Sequence, residues 1–262
     1  MTDPNQLGPS NTGKPAVRAD RQGRILPRRF YTDVATSAEG AAWQLLLDGR
    51  KAMTPGKRPL AVASAAVADR LAAEWSAQTG HIDPTTMPVT TLVCTALDAV
   101  ALHEDAVAAD IVGFAASDLL CYRAEAPEGL VAAQTALWDP VLAWAARDLR
   151  AQVVVADGLM PVVQPAETSA RIAAAIGSRE PLALAALHVL TTLTGSALLA
   201  LAVDRHHLSL KEAWCAAHVD EDWQIALWGE DAEAVKRRAS RLAEAEAADF
   251  VLKAVTALSG TR

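Results

Sequence analysis

The chain has 262 residues, 52% of them hydrophobic, and a net charge of −7. That length supports one large domain or two small ones with an ample core, and the acidic balance argues against nucleic acid as the main partner. The three cysteines, Cys94, Cys121 and Cys215, are odd in number and widely spaced, which excludes a disulfide framework and a zinc pattern and leaves them as buried small hydrophobes in a reducing compartment. Residues 1–24 are rich in Pro, Gly, Asn and Asp and contain no apolar run. They read as a disordered tail, not as a secretory signal, and make a poor mitochondrial presequence.

Residues 29–62 predict a small antiparallel meander. Glu39-Gly40 turns the chain, and Asp48-Gly49 is a two-residue hairpin signal because both positions tolerate positive φ. Arg28, Arg29, Arg50, Lys51, Lys57 and Arg58 make this region basic. They fit a solvated, edge-protecting face, with a partner-binding patch as the alternative. A helix follows, capped by Ser64 and stopped by Gly80, with Trp75 as an anchor onto the meander. Beyond an irregular connector at 81–88 the chain reads as helix upon helix. Pro127 opens one that Asp139-Pro140 interrupts, with a further helix through Trp144 to Leu149. Residues 152–163 suggest a short hairpin about Asp157-Gly158. Thr168 or Ser169 is placed as the cap of a helix ending at Gly177.

Residues 181–203 carry no Asp, Glu, Lys or Arg. A helix that is apolar all round is either buried or membrane-spanning. The polar groups inside it, His188, Thr191, Thr192, Thr194 and Ser196, and the lack of a basic cluster at its ends favour a buried helix in a water-soluble core. Ser209 and Glu212 form a capping box that opens a helix expected to run to Trp228, with Gly229 as its stop. On one continuous wheel Glu221 falls in the middle of an apolar face, beside Trp214, His218 and Ile225, and Trp223 points the opposite way. Glu221 either meets a partner inside the fold or lies on a surface that engages another protein. Asp231 caps the last helix, which carries Lys236, Arg237, Arg238 and Arg241.

No phosphate-binding glycine loop and no nucleophile elbow occurs. His206, His207 and His218 lack the geometry of a metal site, Cys121 has no evident base, and His188 reads as a satisfied core histidine. Neither catalytic nor metal-ligating residues are assigned, and no cofactor. A cytosolic enzyme with a pocket between two domains remains as the alternative, resting on His188, Glu221 and Arg123. A membrane-associated factor using 181–203 is the third reading.

The ordered motifs Arg29-Phe30-Tyr31, Leu47-Asp48-Gly49-Arg50 with Thr54-Pro55, Glu74-Trp75 and Met87-Pro88 precede Asp118-Leu119-Leu120-Cys121-Tyr122-Arg123 and Trp138-Asp139-Pro140. Leu193-Thr194-Gly195-Ser196, Glu212-Ala213-Trp214, Asp220-Glu221-Asp222-Trp223-Gln224 and Trp228-Gly229-Glu230-Asp231 complete the set. Together they resemble the assembly chaperones of the F-type ATP synthase catalytic sector, specifically the family that binds the α subunit, over residues 28–248. The resemblance implies an α+β fold: a β-rich N-terminal domain at 25–98 after the tail, then a helical C-terminal domain at 99–262. It implies a non-enzymatic chaperone that holds the unassembled α subunit and masks its interface until the α/β hexamer forms. The implied contact residues are Glu221, Asp222, Trp223, Gln224, Trp228, Glu230 and Asp231. Ala226 departs from the family pattern, which has a polar residue there. A bacterial cytoplasm is expected over a mitochondrial matrix, and stable membrane insertion is not.

Overall fold

The computed structural model describes residues 25–158 and 163–259; the expected tail at 1–24 lies outside them. A small antiparallel sheet opens the fold: β1 (Val34–Glu39), β2 (Ala42–Leu47), β3 (Arg50–Lys51) and β4 (Ala61–Val62). β2 is central, with β1 on one edge and both β3 and β4 on the other. The two turns form where the sequence places them. Gly40 takes φ +63°, and Asp48 and Gly49 take +48° and +74°, the mirror-image turn that matches strand twist. Asp48 also does more than turn: its carboxylate accepts from the amides of Thr32 and Asp33, and these bonds hold its pKa below the ordinary carboxylate value.

The expected role of the basic residues needs revision at Arg29. Its guanidinium donates to the carbonyls of Tyr31, Gln78 and Thr32, so it is a strut and not a solvated charge. The adjoining Tyr31 hydroxyl donates to the carbonyl of Trp75 at 2.7 Å, and the two rings pack with centroids 5.5 Å apart. Trp75 thus anchors α1 (Ala65–Ser76) to the sheet, as its sequence position predicts. Ser64 caps that helix. Glu74 on the same helix is buried and accepts from the Val89 and Thr90 amides, closing the open N-terminus of α2 (Pro88–Asp98).

The helical body continues with α3 (Glu104–Ala116), β5 (Tyr122–Arg123), α4 (Glu128–Trp144), β6 (Ala156–Asp157) and α5 (Ala166–Ile176). α4 runs straight through Pro140 and passes into a wide π turn at 145–149. An interior proline costs about 3 kcal/mol, but Trp138, Val141 and Trp144 are all buried on the same stretch, and their packing outweighs it. The expected hairpin at 152–163 does not form within the described part: Ala156–Asp157 pairs in parallel with Tyr122–Arg123 instead, and residues 159–162 lie outside the described residues. α5 starts at Ala166, with Pro165 in the capping position, ahead of Thr168. The Thr168 hydroxyl is spent on the carbonyl of Gln152, while Gly177 ends the helix as expected.

The apolar stretch 181–203 is two helices, α6 (Pro181–Thr194) and α7 (Ala197–Asp204). Gly195 ends α6 in the left-handed region at φ +68°, and Ser196 caps α7 by accepting from Leu199. At 1.5 Å per residue α6 is about 21 Å long, short of the roughly 30 Å of a bilayer core. No helix among the described residues is long and apolar enough to cross a membrane. Every residue of 197–203 is buried, so α7 is the centre of the helical body. α3, α4, α6, α8 (Leu210–Ala217) and α10 (Ala232–Ser259) pack round it. His188 corrects a further expectation. It sits at the rim, not in the core, and its Nε2 lies 2.7 Å from the Asp110 carboxylate.

Asp118 seals the α6–α7 break from outside. It is fully buried, and its carboxylate accepts from the Leu120 and Leu198 amides, with Ser196 also bonded to it. Burial raises its pKa to about 6 against these bonds, which pull it down. The folded-state pKa exceeds the ordinary 3.8, so the folded state binds the proton more tightly. The resulting stabilisation is complete below pH 3.8 and is lost as pH rises through 6. Asp118→Asn removes this titration. The Tm difference between wild type and variant is therefore expected to be most favourable to wild type near pH 4 and to shrink towards pH 7. A difference that stays constant over that range would show that Asp118 does not titrate there.

The cysteines behave differently from one another. Burial pushes Cys94 up to about 11 and Cys121 up to about 12, so neither presents thiolate near neutrality. Cys121 also accepts from Gln164. Cys215 is exposed, a correction to its expected burial. Titration of the native protein with a thiol reagent is expected to give one fast equivalent, at Cys215, and three after unfolding. Three fast equivalents in the native state would contradict the burial of Cys121 and the partial burial of Cys94.

Candidate protein-interaction face

The segment that the sequence presents as one helix from 209 to 228 is broken at His218 into α8 and α9 (Val219–Trp228). The capping box of Ser209 and Glu212 is present. The break has a local cause. The His218 amide bonds the carbonyl three residues back, at Cys215, and its imidazole Nδ1 takes the Trp214 carbonyl at 2.8 Å, the acceptor a continuing helix would use. A new helix then starts with Asp220, Glu221 and Asp222 in its first turn, where carboxylates face the positive end of the helix dipole. That acidic run was the available signal for the restart. The break also removes Glu221 from the apolar face: its side chain is 44% exposed.

Two helices, α4 and α10, fix the orientation of α9. On one side, Asp220 accepts from the amide of Gln134 at 2.7 Å, and Gln134 in turn accepts from the Ala124 amide. Trp223 lies against the start of α4, where a Cβ on Gly129 would stand 2.5 Å from its Cη2. On the other side, Asp222 forms an ion pair with Arg238 of α10, whose pKa that hydrogen bond raises. The preceding helix α8 is tied down as well: the ring of Trp138 donates to the Ala216 carbonyl at 2.8 Å. Arg123 lies over the ring, 5.1 Å from its centroid, and pairs with Asp139.

These contacts sort the seven residues implied above. Asp222 and Trp223 are joints between helices, and Asp231 caps α10 through the Ala234 amide. At about 100° per residue, Glu221, Gln224 and Trp228 share the remaining, outward side of α9. Trp228 is 82% exposed and Leu227 beside it 58%. Gln224, Ala226 and Glu230 are exposed too. Between α9 and α10 runs a groove of about 310 Å³, with Glu221, Glu230 and Asp231 along it and Trp214, Ile225 and Leu242 in its walls. His218 lies behind Glu221 at 3.9 Å, and burial holds its pKa below the ordinary histidine value, against the opposing pull of its bond to Trp214. Gln134 and Leu227 carried no sequence signal: a glutamine on a helix has no distinctive spacing, and Leu227 is one leucine among many.

The outward face offers large apolar groups, carboxylates and an amide. That composition suits protein contact, where exposed aromatic side chains carry much of the binding energy. Among the described residues no group of three or more His, Cys, Asp or Glu could hold a metal ion.

Comparison with known proteins places the whole architecture. A family model described as ATP12 chaperone protein matches residues 28–146. The crystal structure of an Agrobacterium tumefaciens protein, itself a candidate chaperone, is 48% identical, with 90% of this chain and 88% of that one aligned and a TM-score of 0.84. Atp12 from Paracoccus denitrificans is 41% identical over 87% of this chain and 98% of its own, with a TM-score of 0.80. A point mutant of the same P. denitrificans protein gives 40% identity and the same TM-score. The sheet joined to a helical body, with its α9 face, is therefore the α+β fold of a group of chaperones. The chain belongs to the ATP12 chaperone family.

Proposed function

We propose that this protein is an assembly factor of the F-type ATP synthase catalytic sector that holds the unassembled α subunit through the outward face of α9 and the α9–α10 groove. Family membership and the motifs of the sequence support the assembly role. The observation that carries the contact face is Trp228, 82% exposed on the side of α9 that packs on no other element among the described residues, with Leu227 58% exposed at its edge. Asp220, Asp222 and Trp223 support the reading indirectly, because their contacts to α4 and α10 keep that side presented.

The mechanism is masking. An unassembled subunit exposes an interface that its neighbour later buries, and such apolar surface drives aggregation. The chaperone must cover it more weakly than the final partner does, so that assembly displaces it. No bond is made or broken and no cofactor is called for. The compartment this reading implies is the bacterial cytoplasm. The test is co-expression with the cognate α subunit: a soluble one-to-one complex that releases α on addition of β is the expected result, and α that precipitates equally with or without this protein would refute the proposal.

A further inference from the structure

A second concave surface lies on the sheet, separate from α9 in sequence and in charge. It is an open groove of about 560 Å³ walled by Phe30, Tyr31 and Trp75 on one side and by Arg50, Lys51 and Met53 on the other. Phe30 is 71% exposed and Met53 49%. The residues flanking Phe30 have work inside the fold: Arg29 holds three carbonyls and Tyr31 holds Trp75. Phe30 meets the Tyr31 ring in a T-shaped pair, centroids 5.4 Å apart, and is otherwise largely open to solvent.

The charge of this region opposes that of the molecule. Residues 25–62 hold six cations, Arg28, Arg29, Arg50, Lys51, Lys57 and Arg58, and three anions, Asp33, Glu39 and Asp48, a local excess of positive charge in a chain of net −7. Lys51 pairs with Glu39. Asp48, the acid in the groove, has its carboxylate bonded to two backbone amides. Arg50 forms no ion pair among the described residues and is exposed. The groove therefore combines exposed aromatic and thioether surface with an exposed cation, Arg50, that forms no ion pair among the described residues although its charge also acts on Asp48.

We propose that this groove docks an acidic peptide segment of a partner protein, with a large apolar side chain seated against Phe30 and Met53 and a carboxylate on Arg50. Charge complementarity selects the acidic segment, and the concave form selects a peptide over a flat lipid surface. The net charge of −7 adds to that choice, because it opposes close approach to an anionic bilayer. The inference is independent of the α9 reading.

The test is fluorescence anisotropy of a short fluorescein-labelled peptide of glutamates with two phenylalanines, set beside a control with lysine for glutamate, on the full chain. Saturable binding of the acidic peptide alone is expected, weakening as salt is raised. Arg50→Glu with Lys51→Glu is expected to weaken it about tenfold or more, equivalent to about 1.4 kcal/mol, and Phe30→Ser independently by a similar factor. These side chains are exposed, so an unchanged far-ultraviolet circular dichroism spectrum is expected to confirm folding of each variant. Trp228→Ser is expected to leave the peptide affinity unchanged. The proposal is overturned if the acidic peptide does not bind, if it binds both groove variants as well as wild type, or if Trp228→Ser abolishes binding. Equal binding of the lysine peptide, or binding of phosphatidylserine vesicles without binding of the peptide, would overturn it as well.

Discussion

Replacing Trp138 by alanine is expected to destabilise the protein by about 3–5 kcal/mol, the range for deleting a buried tryptophan. Its side chain is completely buried and serves three contacts at once. It packs under α8, donates to the Ala216 carbonyl and carries the Arg123 guanidinium on its face. Arg123 itself is 9% exposed, so removing the ring leaves a buried cation with only Asp139 as support, and an unpaired carbonyl at Ala216. Trp138→Phe separates the terms. It keeps most of the volume and orphans the carbonyl, for which about 1–3 kcal/mol is expected. Urea unfolding followed by circular dichroism measures both. An alanine variant within 1 kcal/mol of wild type, by the same scale of core deletions, would show that the site collapses to fill the space and that Trp138 is not the anchor of the α4–α8 junction.

Replacing Trp228 by serine is expected to weaken binding of the α subunit by about 30-fold or more, the 2 kcal/mol that marks a hot-spot side chain. Stability is expected to stay within about 0.5 kcal/mol of wild type, as for surface substitutions, because the ring is 82% exposed. The pairing of these two outcomes is what discriminates. Loss of binding with loss of stability would mean that Trp228 supports the fold, and unchanged binding would remove the α9 face from the contact. Leu227→Ser is expected to act in the same direction with a smaller effect. Glu221→Ala is expected to weaken binding further at low salt than at high salt, because a carboxylate on an exposed rim acts mainly through screened electrostatics. Titrating labelled α subunit with each variant, at fixed concentration of the rest of the system, measures all three.

The two largest expected effects fall on tryptophans of opposite kind, and the sequence does not distinguish them. Trp138 and Trp228 both stand in an acidic, proline- or glycine-punctuated motif. One is wholly enclosed and the other almost bare. The difference lies in what packs against each. α8 covers Trp138, whereas the chain turns away after Trp228 at Gly229, φ +87°, and α10 leaves along the other side of α9. Trp223 shows the same limit. A single continuous wheel puts it on the polar face as a contact residue, yet it is a joint against Gly129. The restart of the helix at Val219 rotates every later side chain relative to the earlier ones.

What the sequence determined by itself was local. The turns at Gly40 and at Asp48-Gly49, the caps at Ser64, Ser209 and Asp231, and the stops at Gly177 and Gly229 depend on bonds within about four residues, and such bonds are encoded in the residues that make them. The order of sheet and helices followed from these signals and from the motifs. The tertiary structure decided where a helix breaks, where it persists and which side faces out. Asp118 bonds Leu198, 80 residues away, at the α6–α7 break. Gln134 bonds Asp220, 86 residues away, to set α9, and Trp138 bonds Ala216, 78 away, to set α8. Pro140 stays inside α4 because buried neighbours outweigh its cost. The reason is one of scale. Continuing or interrupting a helix changes its own energy by only about 1–3 kcal/mol, and contacts with distant segments are large enough to reverse that choice.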